Sequence, residues 1–181
     1  AESARKLPVG DGLDAGVNMG PVISSRARER ILGAIDLGLK EGADLVLDGR
    51  NVKVPARPKG YFVGPTLFDQ VAPGMKLARD EIFGPLVSVI PVAALEEAID
   101  FINRSPYGNA ASIYTKSGPA AREFRYRVQT GNIGINVGVA APVACFPFGG
   151  MKRSFFGSLH GQGRDAVRFF TESKVVITRW V

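Results

Sequence analysis

Cysteine, histidine and tryptophan each occur once in the 181 residues. A single thiol excludes a disulfide within the chain and removes the zinc patterns built on paired cysteines; one imidazole leaves few nitrogen ligands for any other metal site. Long hydrophobic runs are also missing. The uncharged stretch 128–148 is interrupted by Gln129, Asn132, Asn136 and several Gly and Pro, so it does not read as a membrane span. No secretory signal is visible, and the chain opens Ala-Glu-Ser-Ala-Arg-Lys without an initiator Met, a start compatible with processing or cutting. Acidic residues are in deficit, 17 against 23 Lys and Arg, which gives a net charge of +6. The cluster Arg122, Arg125 and Arg127 on one expected helix raises nucleic-acid binding. Acidic residues interrupt the basic ones throughout, however, and no nucleic-acid module motif occurs, so a solvated helix face accounts for the cluster and no nucleic-acid partner is expected.

What is present describes a soluble globular chain: 45% hydrophobic residues, 22% charged, with 22 Gly and 12 Pro, many of them between residues 131 and 163. At this length one compact domain, or a large piece of one, is expected, with roughly 70% of the unfolded surface buried on folding. Ser24 and Ser25 offer helix-start chemistry, and Ile31, Leu32, Ile35 and Leu39 recur at helical spacing before Gly42, with Arg26, Arg28, Arg30 and Lys40 on the opposite face. Residues 45–47 and 61–68 read as extended. The middle is more regular: a strand at 86–90, a helix with Leu95, Ala98, Ile99 and Ile102 on one face, a strand at 110–115, a helix capped by Ser117, and a strand at 132–137. That alternation implies an α/β fold with a parallel βαβ sheet and flanking helices. A short helix is expected within 163–172. Residues 174–181 alternate as a terminal strand with no later partner in sequence, which invites pairing with another chain.

Few residues offer chemistry. A catalytic thiolate needs a cationic neighbour or a helix N-terminus; Cys145 sits among Pro, Val, Ala and Phe and reads as an inert, partly buried cysteine. His160 has no acid or nucleophile near it in sequence and reads as a loop histidine. Gly10-Asp-Gly12-Leu-Asp-Ala-Gly16 has the wrong spacing for a dinucleotide fingerprint, and its aspartates would repel phosphate. Asp80-Glu81-Ile82-Phe83-Gly84-Pro85 differs. If extended, it places Glu81 and Phe83 on one face, a carboxylate able to accept two vicinal hydroxyls beside a ring able to lie on a heterocycle. A glutamate two residues from a core phenylalanine is also common at any strand start, and spacing leaves both readings open.

Glu81-Ile-Phe-Gly-Pro85, followed by Pro106-Tyr-Gly108, Gly131-Asn-Ile-Gly-Ile-Asn136 and Pro147-Phe-Gly-Gly-Met-Lys152, resembles the carboxyl-terminal part of an NAD(P)-dependent aldehyde dehydrogenase over essentially the whole chain. Met19-Gly-Pro-Val-Ile-Ser24, Leu47-Asp-Gly-Arg50, Phe62-Val-Gly-Pro-Thr66, Ser154-Phe-Phe-Gly157, Leu159-His-Gly161 and Lys174-Val-Val-Ile-Thr-Arg-Trp180 resemble its CoA-acylating methylmalonate-semialdehyde branch. Ser158 stands where that branch usually has an acid. The resemblance implies oxidation of a semialdehyde through a cysteine thioester, with NAD as cofactor and CoA as co-substrate, ending in propionyl-CoA or acetyl-CoA. It implies that residues 1–173 are part of a catalytic domain and that 174–181 form an oligomerisation strand in a homo-oligomer, in the cytoplasm or, in a eukaryote, the mitochondrial matrix. By the same resemblance Glu81 holds the nicotinamide ribose, Phe83 lies beside the nicotinamide and Phe148 lines the aldehyde pocket. The family's nucleophile lies upstream of the matching region, so no catalytic residue and no metal ligand is assigned here, and the chain alone is expected to be inactive. A non-catalytic binding or oligomerisation module, and a non-acylating aldehyde dehydrogenase of other range, remain as alternatives.

Overall fold

A computed structural model describes residues 1–181. Contacts within the chain divide it into two compact units, Ala1–Pro91 and Val92–Val181, where length alone pointed to one. The division follows from how each half closes its own apolar surface.

In the first unit a short helix, α1 (Glu2–Arg5), precedes the long helix α2 (Ser25–Lys40). The Ser24 hydroxyl accepts the Ala27 N–H at 3.1 Å, which satisfies an amide that the first turn leaves free. Ile31 and Ile35 are fully buried one turn apart, whereas Leu39, expected on the same stripe, is exposed. Gly42, at φ +91°, then turns the chain in a conformation that a side chain would strain. The strands β1 (Asp44–Leu47) and β2 (Thr66–Asp69) run antiparallel, with an irregularity between Leu45 and Leu47. After the short helix α3 (Lys76–Arg79), β3 (Leu86–Ser88) pairs parallel to β2, Thr66 facing Leu86. Phe68 of β2 sits at the centre of a core with Ile31, Ile35, Ala43, Val63, Val71 and Leu77. Burying a side chain of that size contributes about 1.5–3 kcal/mol. Gly38 lies against Phe68 and Leu77, so α2 lacks room for a methyl at its contact with the sheet. The buried Thr66 hydroxyl accepts from the Gly49 N–H at 3.2 Å and donates to the Gly64 carbonyl at 3.3 Å.

The second unit begins with α4 (Leu95–Arg104), whose Ile99 is fully buried. The short β4 (Tyr107–Gly108) leads to β5 (Ala110–Ile113); α5 (Gly118–Arg127) then crosses to β6 (Asn132–Ile135), parallel to β5 from Ala110 facing Asn132 to Ile113 facing Ile135. Ser117 caps α5 by accepting the Ala120 N–H at 3.3 Å, with Pro119 in the first turn. Met151–Lys152 forms β7, antiparallel to β4, and Gly163–Phe169 forms α6. The core is small: Ile99, Phe124 and Val128, flanked by Leu95, Ile102, Ala111, Ile113 and Ile133.

The βαβ unit β5-α5-β6 matches the sequence reading. The single parallel sheet does not form. β3 pairs with β2 in a mixed three-stranded sheet, and β4-β7 and β5-β6 are separate two-stranded ladders. Residues 171–181 are exposed and carry no strand pairing in this chain, because a strand exists only against a partner and none lies in reach.

Candidate functional site

In the first unit, residues 80–85 link α3 to β3. The expected extended run with Glu81 and Phe83 on one face is not what forms, because Phe83 adopts φ +50°, a left-handed conformation uncommon for an aromatic residue. Tertiary contacts hold it there. The Arg30 guanidinium of α2 donates to the carbonyls of Ile82 and Phe83, with 3.4 Å between Nη2 and the Phe83 oxygen, and Gly84 packs so closely on Ile31 that a Cβ would collide. One turn of α2 therefore grips the backbone on either side of the strained residue. The Phe83 ring is left 74% exposed. Glu81 is exposed too, and its carboxylate belongs to no ion pair in the chain. An unpaired carboxylate and an open ring face two residues apart have the chemistry to receive a ribose diol and a flat heterocycle.

Phe148 belongs to the second unit. It is half-buried and lines a cavity of about 330 Å³ with Asn109, Ala111, Ser112, Asn132 and Val139. Its ring lies parallel to the His160 imidazole at a centroid distance of 6.3 Å, and His160 stacks on Phe155 at 3.6 Å. His160 thus belongs to a ring stack. Beside it, Asn132 Nδ2 donates to the Gly149 carbonyl at 2.7 Å and the Asn109 carbonyl at 3.1 Å. The Lys152 ammonium donates to the carbonyls of Ile102 and Asn103 at 3.1 and 2.9 Å, at the end of α4. Asn136, at φ +57°, engages both backbone groups of Thr115 through its amide.

Cys145 is exposed, not partly buried as its apolar neighbours suggested: the segment around it runs along the surface. Arg127 pairs with Glu123 at 3.0 Å and approaches Asp100, so part of the basic α5 cluster is neutralised locally. In the first unit a groove of about 650 Å³ is lined by Arg28, Lys53, Arg57, Lys59, Tyr61 and Glu29. Arg57 is engaged by Asp11 at 2.9 Å; the Leu13 N–H and that guanidinium hold the Asp11 carboxyl below the usual range. Arg50 bridges Asp36 and Asp48 and holds the Asp48 carboxyl low. No cluster of His, Cys, Asp and Glu gathers for a metal, and no helix is long and apolar enough to cross a membrane.

Sequence reading missed Arg30, Asn132 and Lys152 as braces. Each acts on backbone carbonyls from 17 to 53 positions away, a relation no local spacing encodes.

Residues 1–176 match the aldehyde dehydrogenase family, and the chain belongs to it. Over 179 residues it is 49% identical to malonate-semialdehyde dehydrogenase 2 of Bacillus thuringiensis (strain Al Hakam), covering 99% of this chain and 37% of that protein. The methylmalonate-semialdehyde dehydrogenase of Oceanimonas doudoroffii superposes with a TM-score of 0.96 at 46% identity, over 99% of this chain and 37% of that one. An aldehyde dehydrogenase of Mycobacterium tuberculosis, solved with NAD+, superposes with a TM-score of 0.85 at 37% identity, over 94% of this chain and 34% of that one. The chain thus spans little more than a third of the length of these relatives.

Proposed function

We propose that this chain is the carboxyl-terminal part of the catalytic domain of an NAD-dependent, CoA-acylating malonate- or methylmalonate-semialdehyde dehydrogenase. The observation that carries this reading is the Glu81–Phe83 loop: a free carboxylate and an exposed ring on backbone gripped by α2, in a chain similar throughout to enzymes of that name.

Glu81 accepts hydroxyl hydrogens of the nicotinamide ribose, and Phe83 offers an apolar face that keeps water from the ring. When bound, NAD accepts the hydride released as the aldehyde carbon becomes an acyl carbon. Phe148 lines the path of the aldehyde. The attacking thiol comes from residues outside this chain, because Cys145 does not match the family nucleophile, and the chain alone oxidises no aldehyde. CoA takes the acyl group, giving acetyl-CoA or propionyl-CoA with loss of carbon dioxide from the malonyl carbon skeleton. Residues 1–173 belong to the catalytic domain, and 174–181 pair as a strand with a neighbouring subunit in a homo-oligomer.

The test is Glu81→Gln in the full-length enzyme containing this chain. Gln keeps the shape but replaces a two-oxygen acceptor by an amide, and charge-assisted hydrogen bonds contribute about 1.5–3 kcal/mol. The expected result is a roughly tenfold or larger rise in KM for NAD, or an equal fall in the single-turnover rate of NADH formation. If both stayed unchanged, Glu81 would have no such role.

A further inference from the structure

We propose that Asn132 is the positioning residue of the Phe148 loop and thereby sets how bulky an aldehyde the second unit's cavity admits. The proposal rests on the reading of Phe148 given above.

Asn132 opens β6. Its backbone N–H is already committed to the Asn109 carbonyl at 2.9 Å, so the strand ladder fixes where its side chain starts. The two hydrogens of its amide are both used: one bond returns to Asn109, and the shorter one, 2.7 Å, reaches the carbonyl of Gly149. Gly149 is the residue after Phe148, so this bond pins the loop one residue beyond the ring that lines the cavity. The approach is too close for larger residues. A Cβ on Gly131 would strike the backbone of Gly149 and Gly150, so the loop lies directly on the chain just before Asn132. Backbone contact fixes the separation, and the amide fixes the rotation. Asn132 and Phe148 line the same cavity of about 330 Å³. The Phe148 ring also lies parallel to the His160 ring, 6.3 Å away between centroids, a contact that carries no hydrogen bond to the loop backbone. Pro147 and Phe146, which precede Phe148, are exposed.

The experiment uses the full-length enzyme containing this chain and compares kcat/KM for malonate semialdehyde and methylmalonate semialdehyde, which differ by one methyl group. Asn132→Asp keeps the size of the side chain but turns an acceptor toward the Gly149 carbonyl. The ratio of the two kcat/KM values is expected to shift by about tenfold, the low end of discrimination by one carbon, while KM for NAD stays within twofold. A general loss of stability would lower both aldehydes together and leave the ratio alone. Phe148→Ala is measured beside it. If Phe148→Ala moves the ratio and Asn132→Asp does not, the positioning role is overturned. If Phe148→Ala leaves the ratio flat, the aldehyde-pocket reading fails and takes this proposal with it. Should Asn132→Asp fail to fold, Asn132→Gln, which keeps the amide but moves it by one methylene, is read by the same ratio, and an unshifted ratio there overturns the proposal equally.

Discussion

In the first unit six buried apolar residues meet around Phe68, and two helices and three strands are ordered against them. In the second only Ile99, Phe124 and Val128 form a buried cluster, while Val137, Val139, Val143, Phe146, Phe156 and Phe170 are exposed. Side-chain amides and one ammonium make up part of the difference. Asn103 accepts from the Gln129 N–H at 2.8 Å and donates to the Arg127 carbonyl at 2.9 Å; Asn132 and Asn136 tie other backbone pairs, and Lys152 closes the end of α4. The first unit is ordered chiefly by exclusion of water, the second by directional bonds to backbone. Apolar packing is non-directional, whereas a hydrogen bond weakens steeply as its angle departs from linear. A loop that shapes a small cavity benefits from the second kind of restraint.

The sharpest way to break this contrast is Phe68→Ala. Removing a fully buried ring at the centre of a close-packed cluster is expected to cost about 3–5 kcal/mol, read as a lowered denaturant midpoint with amide exchange accelerated in residues 31–89. A loss below 1 kcal/mol would show that the first unit does not depend on that core. Lys152→Met comes next. It keeps the stem but leaves the Ile102 and Asn103 carbonyls without their cation, at an expected cost of about 1.5–3 kcal/mol, with exchange accelerated around 102–108 and 149–154. An unchanged midpoint would mean that the polar braces of the second unit are incidental. The smallest effect is electrostatic. Arg50 holds the Asp48 carboxyl below its ordinary value, so the folded chain binds that proton less readily than the unfolded one. Its stabilisation is complete above the unfolded value of about 3.9 and drains away as pH falls through the lower folded value. Between pH 5 and 3 the parent is expected to lose stability slightly more steeply than Asp48→Asn, and parallel curves would assign no stability to the pair. A partly exposed pair contributes little in any case.

What could be read in advance follows the same division. Ser24 as a cap, Ile31 and Ile35 as a buried stripe and β5-α5-β6 as a unit were legible because helical and strand periods are local properties of the chain. The left-handed Phe83 was not: nothing in Glu-Ile-Phe-Gly announces it, and it exists because Arg30, more than fifty residues earlier, reaches two carbonyls. The two-residue strands β4 and β7 were missed for the same reason, since each is defined by a partner more than forty positions away. Spacing raised Glu81 and Phe83 without deciding between binding and packing, the resemblance gave them their roles, and Phe148 became a candidate through the resemblance alone. Their braces became visible only in three dimensions.

The terminal segment has a spectroscopic consequence. Trp180 is the chain's only tryptophan and is 91% exposed, on the far side of the sequence from either core. Its emission is that of an indole in water whether or not Phe68 or Phe124 is packed, so melting of the folded units is silent in tryptophan fluorescence and must be followed by circular dichroism. The same indole is a clean optical reporter of one event alone, the covering of residues 174–181 by another surface, which would shift its emission to the blue without any change in the rest of the fold.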